Sequence, residues 1–190
     1  MEPKQPLDSM QTQQTTSDAS PVTTRSAGVR YGMISGIVSI LLFLIFILAN
    51  INMTEGPWKW VGWIVTVALV VLAHKYYKDN ANGFMSYGQG VQISLWMGMV
   101  SAAVSSVFTY VYIKFIDASF LEMIKDKQIQ AMEEQGMSEE QIEQGMKFAS
   151  MFMSPEAMLL FGLIGGVISA LIIGLLVSIF TQKKAPETAF

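Results

Sequence analysis

Between Arg30 and Glu55 the chain carries no charged residue, and the centre of that stretch, Ile34 to Leu48, is almost wholly isoleucine, leucine, valine and phenylalanine. A helix needs about 20 consecutive apolar residues to cross the hydrocarbon of a bilayer. From Met33 to Ala49, 12 residues are of the Leu, Ile, Phe or Val type. At about −0.3 to −0.6 kcal/mol each, they favour insertion by about 4 to 7 kcal/mol, with no central charge to oppose them. The stretch predicts a transmembrane helix. Composition points the same way: 52% of the 190 residues are hydrophobic and 14% charged, where soluble domains run near a quarter charged.

Three further spans follow from the same criterion. Trp60 to Ala73 is charge-free, about 21 Å of helix at 1.5 Å per residue. Trp58 to Trp60 at one end and His74 to Tyr77 at the other extend it to full length, as amphipathic rings and lysine stems do at the headgroup level. Residues 84 to 113 are charge-free after the turn cluster Asp79-Asn80-Ala81-Asn82-Gly83. The last span opens at Ser154-Pro155-Glu156, with serine as cap, proline at the first helical position and an acid in the first turn. It closes at Lys183-Lys184. The predicted class is an all-α integral membrane protein with spans at about 31–52, 58–77, 88–115 and 155–181. They form one membrane domain, 28–184. Residues 1–27, rich in Gln, Thr and Ser, predict a disordered tail, and 185–190 a short C-terminal one. The first apolar run lies too far in, and is too long, for a cleaved signal peptide.

Lysine and arginine collect on the cytoplasmic side of short loops. With the N-terminus inside, the inner flanks hold Arg25, Arg30, Lys75, Lys78, Lys183 and Lys184, and the outer flanks Lys59 and Lys114. Six against two puts both termini in the cytoplasm and residues 117–153 outside. That insert predicts an amphipathic helical hairpin. Its first helix stops at Gly136, the residue type that most readily takes the left-handed turn ending a helix. The second restarts at Ser138, with Gln141 completing a capping box. Ile142, Met146, Ala149 and Met153 follow the spacing of a buried helical stripe.

Chemistry-bearing residues are few. The absence of cysteine excludes disulfides and thiolate metal or redox sites, and one histidine cannot build a two-histidine zinc site. Twelve basic against 15 acidic residues leave no footprint for nucleic acid. His74, beside Lys75 and two tyrosines, is either a proton-handling group or an interfacial residue, and the second needs no special account. Ser94, Ser101 and Ser105 recur on one face of the third span with no base beside them, which reads as helix contact rather than nucleophilic chemistry. Methionines 123, 132, 137, 146, 151, 153 and 158 offer either thioether ligands for Cu(I) or flexible packing; the helical spacing favours packing. Ridges of small residues at intervals of four, Gly28-Gly32-Gly36, Gly98-Ala102-Ser106 and Gly162-Gly166-Ala170-Gly174, predict close helix contact. The first and last spans are the expected partners.

The ordered set Arg30-Tyr31-Gly32, Phe115-Ile116-Asp117, Met137 to Gln141, Phe152 to Pro155 and Gly174 to Phe180 before paired lysines resembles the domain-of-unknown-function family 4199. The resemblance covers about residues 26 to 184. It implies a small four-span inner-membrane protein of bacteria with no assigned activity, and it transfers no functional residues.

No catalytic, cofactor-binding or metal site and no cofactor is therefore expected. The bilayer is the certain partner class, with a membrane-protein partner or a second copy of the chain beside it. The spans hold no central Asp, Glu, Lys, Arg or His, the residues proton-coupled transport relies on. A non-enzymatic scaffold or accessory protein acting through its outer helical insert is the first functional expectation. A small transporter or channel subunit, completed by oligomerisation, is the second.

Overall fold

The computed structural model describes residues 22–49, 51 and 56–186. Helix α1, Thr24–Leu48, begins where local chemistry allows it: Thr23 Oγ1 accepts from the Ser26 amide at 3.1 Å and Ser26 Oγ accepts from the Thr23 amide at 3.0 Å. This reciprocal cap satisfies two otherwise orphaned donors. The expected tail boundary at residue 27 is thus too late. Ala27 is fully buried, and Val22 packs on the core. Residues 1–21, where most of the expected tail falls, lie outside the described residues.

A 3-10 turn, Gly56–Trp60, leads into α2, Val61–Asn80. Helix α3, Tyr87–Val111, is capped by Ser86 and Gln89 in the same reciprocal way and runs on as a π-helical turn, Tyr112–Ile116. The insert forms α4, Ser119–Glu134, and α5, Glu139–Ser150, before α6, Pro155–Thr181, which Ser154 caps with proline at its first turn. The helical segments Thr24–Leu48, Gly56–Asn80, Tyr87–Ile116 and Pro155–Thr181 are each long and apolar enough to cross a membrane.

Helix α3 is the centre of the bundle, with α1 and α6 on either side of it. Against α6 it presents Gly90, Ser94, Gly98, Ala102 and Ser106, which meet Ser178, Gly174, Ala170, Gly166 and Gly162 in antiparallel order. A methyl group at Gly98 would stand 2.0 Å from Ala170 Cβ. The two backbones are as close as small residues permit. Ser178 is fully buried and its Oγ has no hydrogen-bond partner among the described residues; it faces the Cα–H of Gly90, a weak C–H···O contact at most. Against α1, α3 presents larger groups: Trp96, Val100 and Val104 sit on Gly28, Gly32 and Gly36.

The glycine ridges of α1 and α6 are therefore both used, yet not on each other as the sequence led us to expect. Each takes α3 as its partner. The reason lies in α3 itself, which carries small residues on one side to match a small ridge and branched or aromatic ones on the other to fill a glycine groove. At 100° per residue, the centres of its two contact stripes, Gly98 and Val100, lie about 160° apart around the helix axis. The three helices thus form a bent row with a concave side, and α2 lies across that side.

Helix α2 packs by its second half. Its buried residues, Val70, Ala73, His74 and Tyr77, share a core cluster or hydrogen bonds with Met97 of α3 and Ile173, Val177 and Thr181 of α6. At this end of the bundle Met85 and Lys183 exchange two backbone hydrogen bonds of 2.8 Å, and Arg30 Nη1 donates to Tyr76 Oη at 2.9 Å.

The insert is fastened to the opposite end. Phe43, Tyr112 and Phe120 form an aromatic triad with ring centroids 5.3 to 6.0 Å apart, and Leu44, Ile47, Phe108, Met123 and Met158 pack around it. The π turn swings the chain from α3 into α4, marked by the Asp117 amide bonding the Tyr112 carbonyl at 2.9 Å. Asp117 then accepts from the Ser119 amide at 3.0 Å and from its hydroxyl, which holds the carboxyl below the usual carboxylate range. Gly136, at φ 75°, closes α4 with the Gly136 amide bonded to Glu133 O and the Met137 amide to Met132 O. That bonding pattern requires a left-handed residue, the reason glycine stands there. The expected stripe on α5 is only half-covered: Ile142, Met146, Ala149 and Met153 are all intermediate in exposure. Much of the apolar face of α4 is committed to the bundle end, which leaves α5 a narrow support around Met132 and Gly145. A second apolar edge, Phe148, Met151 and Phe152, is exposed and leads by ring contact to Phe161 of α6.

Candidate functional site

Because α2 is anchored by its second half, its first half stands away from the concave row and leaves a cavity of about 440 Å³. The walls come from α1, α2, α3 and α6, and seven hydroxyls line it: Ser35, Ser39, Thr66, Ser94, Ser101, Ser105 and Ser169. The α3 serines are placed there by helical periodicity. Ser101 and Ser105 fall between the stripe that meets α6 and the stripe that meets α1, so they point into the angle of the row, and Ser94 reaches it from the edge of the α6 stripe. Phe43, Phe46, Trp58 and Trp63 stand toward the insert end, and Lys59 is the one charged residue among the described residues that line the space.

The hydroxyl protons are largely committed. Ser101 Oγ donates to Ser35 Oγ at 3.1 Å, Ser105 Oγ to Ser101 O at 2.8 Å, Thr66 Oγ1 to Gly62 O at 2.7 Å and Ser94 Oγ to Gly90 O at 3.0 Å. These bonds satisfy groups that would be costly to leave unpaired inside a membrane. What the oxygens still offer the cavity is lone pairs. Ser35, Ser39 and Ser169 donate to nothing among the described residues and can also give a proton to the cavity.

His74 lies behind the floor of this cavity. It is fully buried, with Nε2 2.9 Å from Gly90 O and 3.1 Å from Ser94 Oγ, and Nδ1 2.7 Å from Thr181 Oγ1. The carbonyl of Gly90 only accepts, so the ring is assigned its proton on Nε2; the single Thr181 hydroxyl proton is shared between Nδ1 at 2.7 Å and Val177 O at 2.9 Å. The reading of His74 as an interfacial residue is corrected. It is a polar tie that joins α2, α3 and α6, held there because the end of α2 closes onto the row. Ser94, singled out from the sequence as a helix contact, is one of its partners, and Ser101 bridges α3 to α1.

Ser35, Ser39, Thr66 and Ser169 were not among the residues that sequence reasoning singled out. The available signal was the pair Ser35 and Ser39, four apart in a run of aliphatic residues and matching Ser101 and Ser105 on α3. The methionines do not converge: Met123 and Met158 pack at the bundle end, Met132 meets Gly145, and Met137 and Met151 are exposed. No group of three or more His, Asp or Glu side chains able to hold a metal occurs among the described residues.

Four helices long and apolar enough to cross a membrane, a hydroxyl-lined interior and two further helices between the third and fourth are compatible with a small multi-pass membrane bundle. The family model described as a protein of unknown function, DUF4199, matches residues 30–183, and the chain belongs to that family. No curated protein and no solved structure matches it.

Proposed function

We propose that this protein is a non-enzymatic scaffold or accessory protein of the bacterial inner membrane, acting through the α4–α5 hairpin on the extracytoplasmic side. The observation that carries the reading is the seating of that hairpin. Phe120 is buried in the aromatic triad at the bundle end, while Glu133, Glu134, Glu139, Glu140 and Glu143 stay exposed. A first helix seated at its base carries the acidic tip of the hairpin clear of the bundle end, which suits a scaffold better than a connecting loop. The partner it suits is a membrane protein with a basic outer surface. The sidedness rests on the six-to-two asymmetry of lysine and arginine. Catalysis is not part of the proposal, since the one histidine has both ring nitrogens engaged in packing.

A photocrosslinker placed at Glu140 should capture one defined membrane-protein partner in native membranes, while one at lipid-facing Ile172 should not. Identical products from both positions would defeat the scaffold reading. The cavity favours a second reading, a small transporter or channel subunit. Solute flux in liposomes of the protein alone would support that one instead.

A further inference from the structure

We infer that the cavity beside α2 binds the head of a neutral, hydroxyl-bearing amphiphile, an acylglycerol-type lipid entering from the bilayer. The inference is independent of what the hairpin does. Binding without flux would leave the proposed function as it stands.

Three observations carry it. The first is charge. Apart from Lys59, the described lining is uncharged, and an ionic head drawn into it would lose its hydration with no buried counter-charge to replace it. The second is the direction of the hydrogen bonds. Ser94, Ser101, Ser105 and Thr66 have spent their protons on Gly90 O, Ser35 Oγ, Ser101 O and Gly62 O. Ser35, Ser39 and Ser169 donate to nothing among the described residues, so the lining is acceptor-rich with three donors left over, and the ligand that matches it must both give and accept. Free alcohol groups do so; a quinone or a fully esterified glycerol offers acceptors alone.

The third is access. Gly62 on α2 and Gly162 on α6 both line the cavity and are both exposed, and a Cβ at Gly62 would meet nothing within 4 Å. The missing side chain at Gly62, two residues inside the interfacial Trp60, leaves a lateral opening near the edge of the apolar segment, where a hydrocarbon tail can remain in the bilayer while the head turns inward; Gly162 turns its bare Cα to Ser106 instead. A volume of about 440 Å³ takes a head and its first methylenes, and leaves the rest of the tail outside. A free polyol such as glycerol presents the same chemistry without the tail, so the test separates the two.

The protein in phosphatidylcholine nanodiscs is labelled with a diazirine-bearing monoacylglycerol. Saturable labelling at one site, in peptides from α2 and α6, is expected. Unlabelled monoacylglycerol should compete, whereas fatty acid, lyso-phosphatidylglycerol and buffer glycerol should not. Gly62→Phe should abolish it, and Gly165→Phe, on α6 outside the lining and equally free of neighbours, should leave it unchanged. Ser169→Ala should weaken competition by about fivefold, the loss of one hydrogen bond. Competition by glycerol alone would assign a water-soluble polyol and overturn the lipid assignment. Competition by the anionic lipids would overturn the argument from charge. Non-saturable labelling, or labelling that survives Gly62→Phe in a protein of normal melting temperature, would overturn the site.

Discussion

Replacing Gly98 by alanine adds one methyl group at the tightest point of the α3–α6 contact. Its Cβ would lie 2.0 Å from Ala170 Cβ, and two methyl carbons need about 3.5 to 4.0 Å. The helices must part by about 1.5 Å at that level, and the displacement spreads to the neighbouring pairs Ala102–Gly166 and Ser94–Gly174. A gap of 0.5 to 1 Å already forfeits roughly a quarter to a half of each dispersion contact. Overpacking in well-packed cores costs about 1 to 3 kcal/mol. For a chain of this size that is a fall in Tm of about 3 to 10 °C, read by thermal unfolding in a mild detergent. The reciprocal change Ala170→Gly returns the methyl group to the opposite wall, so Gly98→Ala with Ala170→Gly should recover most of the loss. Gly165→Ala, whose Cβ meets nothing within 4 Å, should have no effect. A single variant that melts like the parent, or a double variant no better than the single, would refute this account of the interface.

The remaining expectations are simpler. Single cysteines at Lys78 and Glu139 in this cysteine-free chain should react with an impermeant thiol reagent from opposite sides, 139 in intact cells and 78 only after lysis; the reverse pattern inverts the topology. His74→Phe keeps the ring and removes three hydrogen bonds, leaving Gly90 O and Thr181 Oγ1 without their imidazole partner, and should lower Tm more than Tyr76→Phe. The lowered Asp117 carboxyl means that the stability from its bonds to the Ser119 hydroxyl and amide at the start of α4 is fully present above the ordinary carboxylate range and is lost as the pH falls through the lowered value. Hydrogen exchange at the start of α4 should therefore quicken in acid, and Asp117→Asn should flatten that dependence. Exchange should also show protection across α5 and a fast break at 136–138; uniformly fast exchange from 117 to 153 would remove the hairpin and the scaffold reading with it.

Local features were the legible ones. Ser138-Gln141 and Ser154-Pro155 fix helix starts through groups three residues apart, so no knowledge of the rest of the chain is needed. Thr23-Ser26 does the same work with serine in place of the usual Glu or Gln at the third helical position, and the start of α1 was harder to see for that reason. His74 illustrates a different failure. Lys75, Tyr76 and Lys78 suggest an interface, yet Val70, Ala73, His74 and Tyr77 fall at i, i+3, i+4 and i+7, the spacing of a packed stripe. The composition of the segment hid its periodicity. The pairing of the glycine ridges was not legible at all, because each ridge advertises a close neighbour without naming it. The discriminating information sits on α3, in the size of the residues between its small ones.

The cavity follows from that same division of α3. Helix axes pack about 8 to 10 Å apart, so a row of three presents a face wider than one helix can cover. Tight small-residue contacts fix the row; α2 must then close against one part of its concave side and stand off from another. It closes where it carries Val70, Ala73, His74 and Tyr77, and stands off where it carries Gly62, Trp63 and Thr66. The uncovered wall is where α1, α3 and α6 carry serine in place of leucine or valine. Ser94 and Ser101 tie helices together, but Ser169 bonds nothing among the described residues and would be a cost with no return if the space were meant only for packing, since an aliphatic side chain fills such a gap better and needs no partner. Seven hydroxyls around one opening, most with their protons already engaged, are instead what a site for an uncharged alcohol requires. Filling it should show the difference. Ser101→Leu with Ser169→Leu should leave the fold intact, or raise its melting temperature, while abolishing lipid labelling. A variant that unfolds instead would make the serines structural.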